Sequence, residues 1–233
     1  MNKKFMLLLT ALTLATTALV GCGTQAQTST ETQAQAETPS TSSKQEPSPT
    51  VAEVSDNKTA YPVTFEAFDS EGNVYPQTFN EAPKMVITNN QTSTELLLTL
   101  GLKDSIIGTG DLDTPIPEEL KADYEAIPAI ANKGDVAKEV VVGSGADLVI
   151  GRAASFKDDR YGLIPSLNEV GINTYVQLAS KMNTDISLDT IIQDVRNVGV
   201  IFDVQDKANT LADSLKATFE DIKSKVQIGR AHV

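Results

Sequence analysis

The stretch Met85-Val86-Ile87-Thr88-Asn89-Asn90-Gln91-Thr92-Ser93-Thr94-Glu95-Leu96-Leu97-Leu98-Thr99-Leu100-Gly101 changes character twice. It opens on a short apolar run, the mark of a buried strand. A polar loop follows, and then a leucine-rich segment. Thr92 with Glu95 three residues on reads as a capping box, which predicts a helix over 94–100 with Thr92 as its N-cap. Gly101 then stops it. A strand feeding a helix through a polar loop is half of a parallel βαβ unit.

The same alternation extends in both directions. Ahead of it, 63–68 and 74–79 are rich in β-formers around the turn Asp69-Ser70-Glu71-Gly72-Asn73, which predicts a hairpin. After it, strands are expected at 105–108 and 147–150, with a weaker one at Ala129-Ile130, and another at 173–176. Helices are expected from Pro117, from an Asp135 cap toward Val142, over 163–170 before Gly171, and over 187–198. The fold class is therefore α/β, a three-layer domain on a parallel sheet, and ligands on such sheets bind at the carboxyl ends of the strands. The last element, 206–226, has no Gly or Pro and carries one apolar stripe, Ala208, Leu211, Leu215, Phe219, Ile222 and Val226. A helix of that length is about 30 Å long and predicts a crossing to a second lobe.

The ends of the chain read differently. Residues 1–22 combine Lys3-Lys4, an uncharged apolar run too short to span a bilayer, and Gly21-Cys22, which predicts a secretory leader. Leu19-Val20-Gly21-Cys22 resembles a bacterial lipobox, and Cys22 is the only cysteine in the protein. Lipidation at Cys22 is expected, with anchoring by more than one acyl chain. Residues 23–60 are rich in Gln, Thr, Ser, Ala, Glu and Pro, which predicts a disordered tether. Residues 228–233 (IGRAHV) read as the translation of a common sequencing adapter, so the native frame is expected to have been cut after Gln227. The expected organisation is 1–22 leader, 23–60 tether, 61–204 N-terminal lobe, 205–227 interlobe helix, and 228–233 foreign.

Composition excludes several functions. The chain of 233 residues has 31 acidic and 19 basic side chains, net −12. All of that charge lies in 61–227, because the leader, tether and Arg230 cancel. Nucleic acid needs clustered Lys and Arg, so it is not an expected partner. The single His is His232, so 61–227 contains neither His nor Cys. Sites for naked zinc lean on those residues.

At this point a family resemblance emerges. The 85–101 stretch, Ile106-Ile107-Gly108, Ala146-Asp147-Leu148-Val149-Ile150-Gly151, Leu167-Asn168-Glu169-Val170-Gly171-Ile172, and Val198-Gly199 ahead of the long helix occur in family order. Together they resemble the iron-siderophore and vitamin B12 class of ABC-transporter substrate-binding proteins. Ala146 stands where that family usually has Pro. The resemblance implies a lipid-anchored, monomeric receptor on the outer face of the bacterial cell membrane, with two lobes of which the second is missing here. It would capture a metal chelate, a ferric siderophore first, and hand it to an ABC permease and its ATPase. A corrinoid or haem is the alternative ligand. No enzyme activity and no cofactor beyond the lipid on Cys22 are implied. Permease docking through an acidic residue suggests Asp158 or Asp159, which also read as a solvated charge run.

The site candidates are Asn90, Gln91 and Thr92 in the first loop, Asp111 after the second buried strand, Arg152, Ser155 and Phe156 after the 147–150 strand, and Gln177 after the last. Arg152 would pair with an anionic group of a chelate, or with Asp111 or Asp113. Phe156 would cover a macrocycle or be partly buried. Two other classes stay open. A nucleotide enzyme lacks its phosphate loop, because Gly143-Ser144-Gly145 precedes a strand. A surface sensor or adhesion lipoprotein could reuse the lobe.

Overall fold

The computed structural model describes residues 58–110, 112–131, 135–181 and 186–230. The leader, Cys22, most of the tether, Asp111 and His232 lie outside the described residues.

Two strands, β1 (Val63–Phe68) and β2 (Val74–Phe79), pair antiparallel across the Asp69–Asn73 turn. The Asp69 carboxylate closes that turn by accepting the Glu71 and Asn73 amides. Four further strands form a separate parallel sheet: β3 (Val86–Thr88), β4 (Ile106–Thr109), β5 (Leu148–Gly151) and β6 (Asn173–Val176), in the order β4-β3-β5-β6. The Ala129-Ile130 strand is reduced to a single parallel bridge between Ala129 and Thr109.

Side chains alternate across the sheet, as period-two geometry requires. Val86, Leu148, Ile150 and Tyr175 enter one apolar cluster; Ile87, Val149 and Val176 enter the other. Helices α1 (Gln91–Thr99), α5 (Leu188–Ile201) and α6 (Gln205–Arg230) cover the first face. Helices α3 (Lys138–Gly143) and α4 (Ile164–Glu169) cover the second. Helix α2 (Glu118–Glu125) lies against α1 through Leu120 and Tyr124. The sheet with helices on both faces is the expected three-layer α/β architecture. Among the described residues no helix is long and apolar enough to cross a membrane.

Gly101 ends α1 as expected, with a positive φ of 72°, and the amides of Gly101 and Leu102 bond back to Leu98 and Leu97. Two helix starts depart from expectation. Helix α1 begins at Gln91, with Asn90 as N-cap, and Thr92 is inside its first turn. The Asn90 carbonyl accepts the Thr94 amide, while Glu95 accepts from Gln91 Nε2 instead of closing a capping box. Helix α3 is entered at Ala137, so Asp135 does not cap it.

Helix α5 hands over to α6 through a tight corner. Asp203 adopts φ 57°, and the amides of Asp203 and Val204 return to Val200 and Gly199. Gly199 is needed there, because a Cβ would lie 2.4 Å from the Ala208 Cβ of α6. Residues 58–61 clasp this corner. Asp203 accepts the Thr59 amide at 2.7 Å and pairs with Lys58 at 3.1 Å. Thr59 Oγ1 donates to Val200 O and accepts from Gln205 Nε2, and Tyr61 Oη donates to Ile201 O.

The Thr59 amide and the Lys58 ammonium hold the Asp203 carboxyl below its ordinary pKa. A depressed folded-state pKa contributes stability above the ordinary carboxylate range, and that stability is lost as pH falls through the folded value. Asp203→Asn should therefore flatten the acid limb of the stability profile below about pH 4. Urea midpoints between pH 7 and pH 3 measure it, and high salt should shrink the difference, because the pair is partly exposed.

Helix α6 is about 39 Å long at 1.5 Å per residue. Ala208 and Ala212 are buried against α5. Farther along, the same stripe is open: Phe219, Ile222 and Val226 are 45%, 54% and 53% exposed.

Candidate functional site

The chain leaves β3 toward α1 on one face of the sheet and leaves β5 toward α4 on the other. The crevice between diverging connections is where open α/β sheets bind ligands. Its two lips are Asn89-Asn90 and Gly151-Arg152.

Asn89 ties those lips together. It is fully buried, its Oδ1 accepts the Arg152 amide at 2.8 Å, and its Nδ2 donates to Arg152 O at 3.4 Å. Gly151 makes room for this amide, since a Cβ there would stand 1.7 Å from Asn89 Oδ1. Beneath the crevice three buried hydroxyls close a triangle: Thr88 to Thr94 at 2.7 Å, Thr88 to Thr109 at 2.9 Å, and Thr94 to Thr109 at 2.8 Å. They join β3, α1 and β4, so the start of α1 is fixed relative to both strands.

No family model matches the chain. It is 24% identical over 219 residues to the uncharacterized ABC transporter substrate-binding lipoprotein YvrC of Bacillus subtilis. That match covers 93% of this chain and 57% of YvrC. A periplasmic binding protein from Veillonella parvula superposes with a TM-score of 0.65 at 22% identity, over 73% of this chain and 54% of that one. An ABC-type Fe3+-hydroxamate transport protein from Saccharomonospora viridis gives 0.61 at 23% identity, over 72% and 58%. Its fold is that of the periplasmic binding proteins. The heme binding protein HmuT gives 0.51 at 18% identity, over 77% and 52%. The chain thus spans about half the length of these relatives, and the resemblance to an ABC-transporter substrate-binding lipoprotein holds.

On this periplasmic-binding-protein fold, three of the expected site residues converge. Asn90 Nδ2 donates to Thr92 Oγ1 at 2.6 Å and to Gln177 Oε1 at 3.3 Å, and Thr92 Oγ1 also donates to Gln177 Oε1 at 3.3 Å. They bridge the start of α1 and the end of β6. Arg152 lies at the same edge, half-buried, with its guanidinium 3.3 Å from the Asp113 carboxylate. Gln91 is buried and already committed: its Oε1 accepts the Asp113 and Thr114 amides, and its Nε2 donates to Thr114 and Glu95. It shapes the loop after β4, which carries the Asp113 that pairs with Arg152.

Two expected site residues point the other way. Phe156 is 1% exposed within the core face that holds Tyr161, Ile164 and Leu167. Ser155 is fully buried. After the short turn Ala153–Ser155 both side chains are buried in this lobe and neither is exposed at the crevice edge. Asp158 is exposed and pairs with Lys138 at 2.5 Å, and Asp159 is exposed beside it.

The loop reading included Asn89 as a hydrogen-bonding side chain but not its tie to Arg152, and the threonine triangle and one more residue escaped it. Asp194 of α5 is 4% exposed, and its carboxylate accepts Tyr175 Oη at 2.7 Å, the Leu178 amide at 2.8 Å and the Ala179 amide at 3.1 Å. Burial raises its pKa above the ordinary carboxylate value, against those three hydrogen bonds, which lower it. A legible signal existed, because Asp194 interrupts the apolar stripe formed by Ile191, Val195 and Val198.

Proposed function

We propose that this chain belongs to the solute-capturing protein of an ABC importer and takes a metal chelate, a ferric siderophore first, from the extracytoplasmic space. The observation that carries the proposal is the crevice edge. Side-chain amides and hydroxyls from two loops converge beside one guanidinium, at the switch point of a binding-protein fold. Such donors suit the oxygen-rich, anionic surface of a chelate, whereas bare zinc or copper calls for imidazole or thiolate. The neighbours from S. viridis, described as Fe3+-hydroxamate transport, and HmuT, described as heme binding, point the same way. Delivery would run through a permease and its ATPase, with docking at Asp158 or Asp159. Lipid on Cys22 would hold the protein at the membrane.

Arg152 is the residue on which anion capture rests, with Asp113 as the counter-charge that an incoming ligand displaces. Calorimetry with ferrioxamine B, ferric enterobactin, cyanocobalamin and haemin tests the reading on the longer, two-lobe protein it implies, since this chain spans about half the length of its relatives and should by itself bind poorly. One chelate should bind, and Arg152→Ala should weaken it by about 10- to 100-fold, the size of a lost charge-assisted hydrogen bond. Silence from all four compounds would sink the ligand class. Binding of haemin or cyanocobalamin alone would redirect the reading to those ligands.

A further inference from the structure

We propose that Asp194, a buried residue outside the crevice, is the positioning residue for the ligand-contacting side of the β6 loop. The inference rests on the receptor reading for its functional meaning, and on geometry alone for its substance.

The turn Leu178–Ser180 follows β6 directly and is held from two sides. From the core side, Asp194 accepts the two successive amides of Leu178 and Ala179. Tyr175 Oη donates to the same carboxylate and accepts from Asn197 Nδ2 at 3.1 Å, so the carboxylate has a fixed orientation. From the crevice side, Ser180 Oγ donates to Gln177 O at 2.7 Å and accepts the Ala153 amide at 3.0 Å. The Gln177 amide donates to Gly151 O at 2.8 Å.

Gln177 is therefore fixed at its own backbone, at the residue after it and at Ser180. Its Oε1 is what Asn90 and Thr92 share. A continuous path runs from the Asp194 carboxylate through the 178–179 amides to Gln177, and from there to the start of α1. Three donors satisfy the buried carboxylate, and two of them are the backbone amides of the loop, so the same bonds that offset its burial also fix the loop against α5.

Asp194→Asn tests it. The variant keeps the shape but turns one acceptor oxygen into an NH2 group facing donors. In the full chain without any chelate, the Leu178 and Ala179 amides should exchange about tenfold faster. The Asn90 side-chain NH2 resonances should also move. Ile192→Val on the same helix serves as a destabilised control and should do neither. Tyr175→Phe, which frees the carboxylate without removing it, should move the same signals less and in the same direction, and it stands in if Asp194→Asn fails to fold. Unchanged exchange at 178–179, or faster exchange with Asn90 signals left in place, would overturn the proposal.

In a second arm, ferrioxamine B is titrated into Asp194→Asn, Gln177→Ala and the double variant. The losses should be non-additive, the double variant binding no worse than the weaker single one. Additive losses would overturn a role through Gln177. If ferrioxamine B does not bind the wild-type two-lobe protein, in which this arm is run, the hydroxamate reading falls, while the exchange and NH2 signals still decide the role of Asp194.

Discussion

Replacing Phe156 with alanine is expected to cost about 3–5 kcal/mol of folding stability, the usual penalty for emptying a fully buried aromatic site. For a domain of this size that corresponds to a Tm lower by roughly 10 °C. Phe156 is 1% exposed, in the same core face as Ile164, Leu167 and Tyr161. No rotation of a neighbour fills the space cheaply, because that face is built from residues that are themselves buried. Thermal unfolding by circular dichroism measures the loss. A side chain that covered a ligand would behave oppositely, with melting nearly unchanged and chelate affinity reduced. The two outcomes separate a core Phe156 from one that lines the crevice.

Gly151→Ala is expected to be the other severe substitution. Its Cβ would sit 1.7 Å from Asn89 Oδ1 and 2.3 Å from the Asn89 side-chain carbon. The Asn89 amide would have to turn away and release the Arg152 peptide, which it holds through both its oxygen and its nitrogen. Overpacking of this kind costs about 1–3 kcal/mol. An orphaned buried amide adds about 1–3 kcal/mol. The same change displaces Arg152, so chelate affinity should fall together with the urea midpoint. Asn89→Ala with Gly151→Ala relieves the clash but not the lost tie, so the double variant should regain stability before it regains binding. A Gly151→Ala protein as stable as the wild type would mean that the lips of the crevice are not held by Asn89.

How much of this could be read from residues alone follows the physics of each element. Strands β3 and β5 announced themselves because strands buried on both faces carry unbroken apolar runs. Gly101 and Gly171 marked helix ends because only a residue free of a Cβ reaches their positive φ cheaply, 72° and 82°. The capping box at Thr92 was misleading. The same polar letters also allow an earlier start, and Asn90 takes it, with an extended backbone, its carbonyl bonded to the Thr94 amide and its side chain bonded to Ser93 Oγ. Local sequence does not choose between two overlapping caps; the threonine triangle, which is tertiary, does.

The crevice was legible as a place and only partly as a set of side chains. Asn90, Thr92, Arg152 and Gln177 follow strand ends, and a strand end fixes where its next residues stand. Ser155 closes a three-residue turn and Phe156 follows it, and the direction of such a turn has no periodicity for a sequence to reveal. Asp194 lies 16 residues from Leu178, so its contact with the loop exists only once α5 has folded back on the sheet.

The clasp of residues 58–61 has a mechanical consequence. Tension on the chain ahead of residue 58 enters the fold at the α5–α6 corner, through Lys58 and Thr59 onto Asp203, Val200 and Gln205, and through Tyr61 onto Ile201. Lys207, just past that corner, donates to Leu100 O, at the end of α1 that lies away from Asn90. A pulling load applied ahead of residue 58 would thus reach the elbow of two helices first, with the nine residues of α1 between that elbow and the crevice lips.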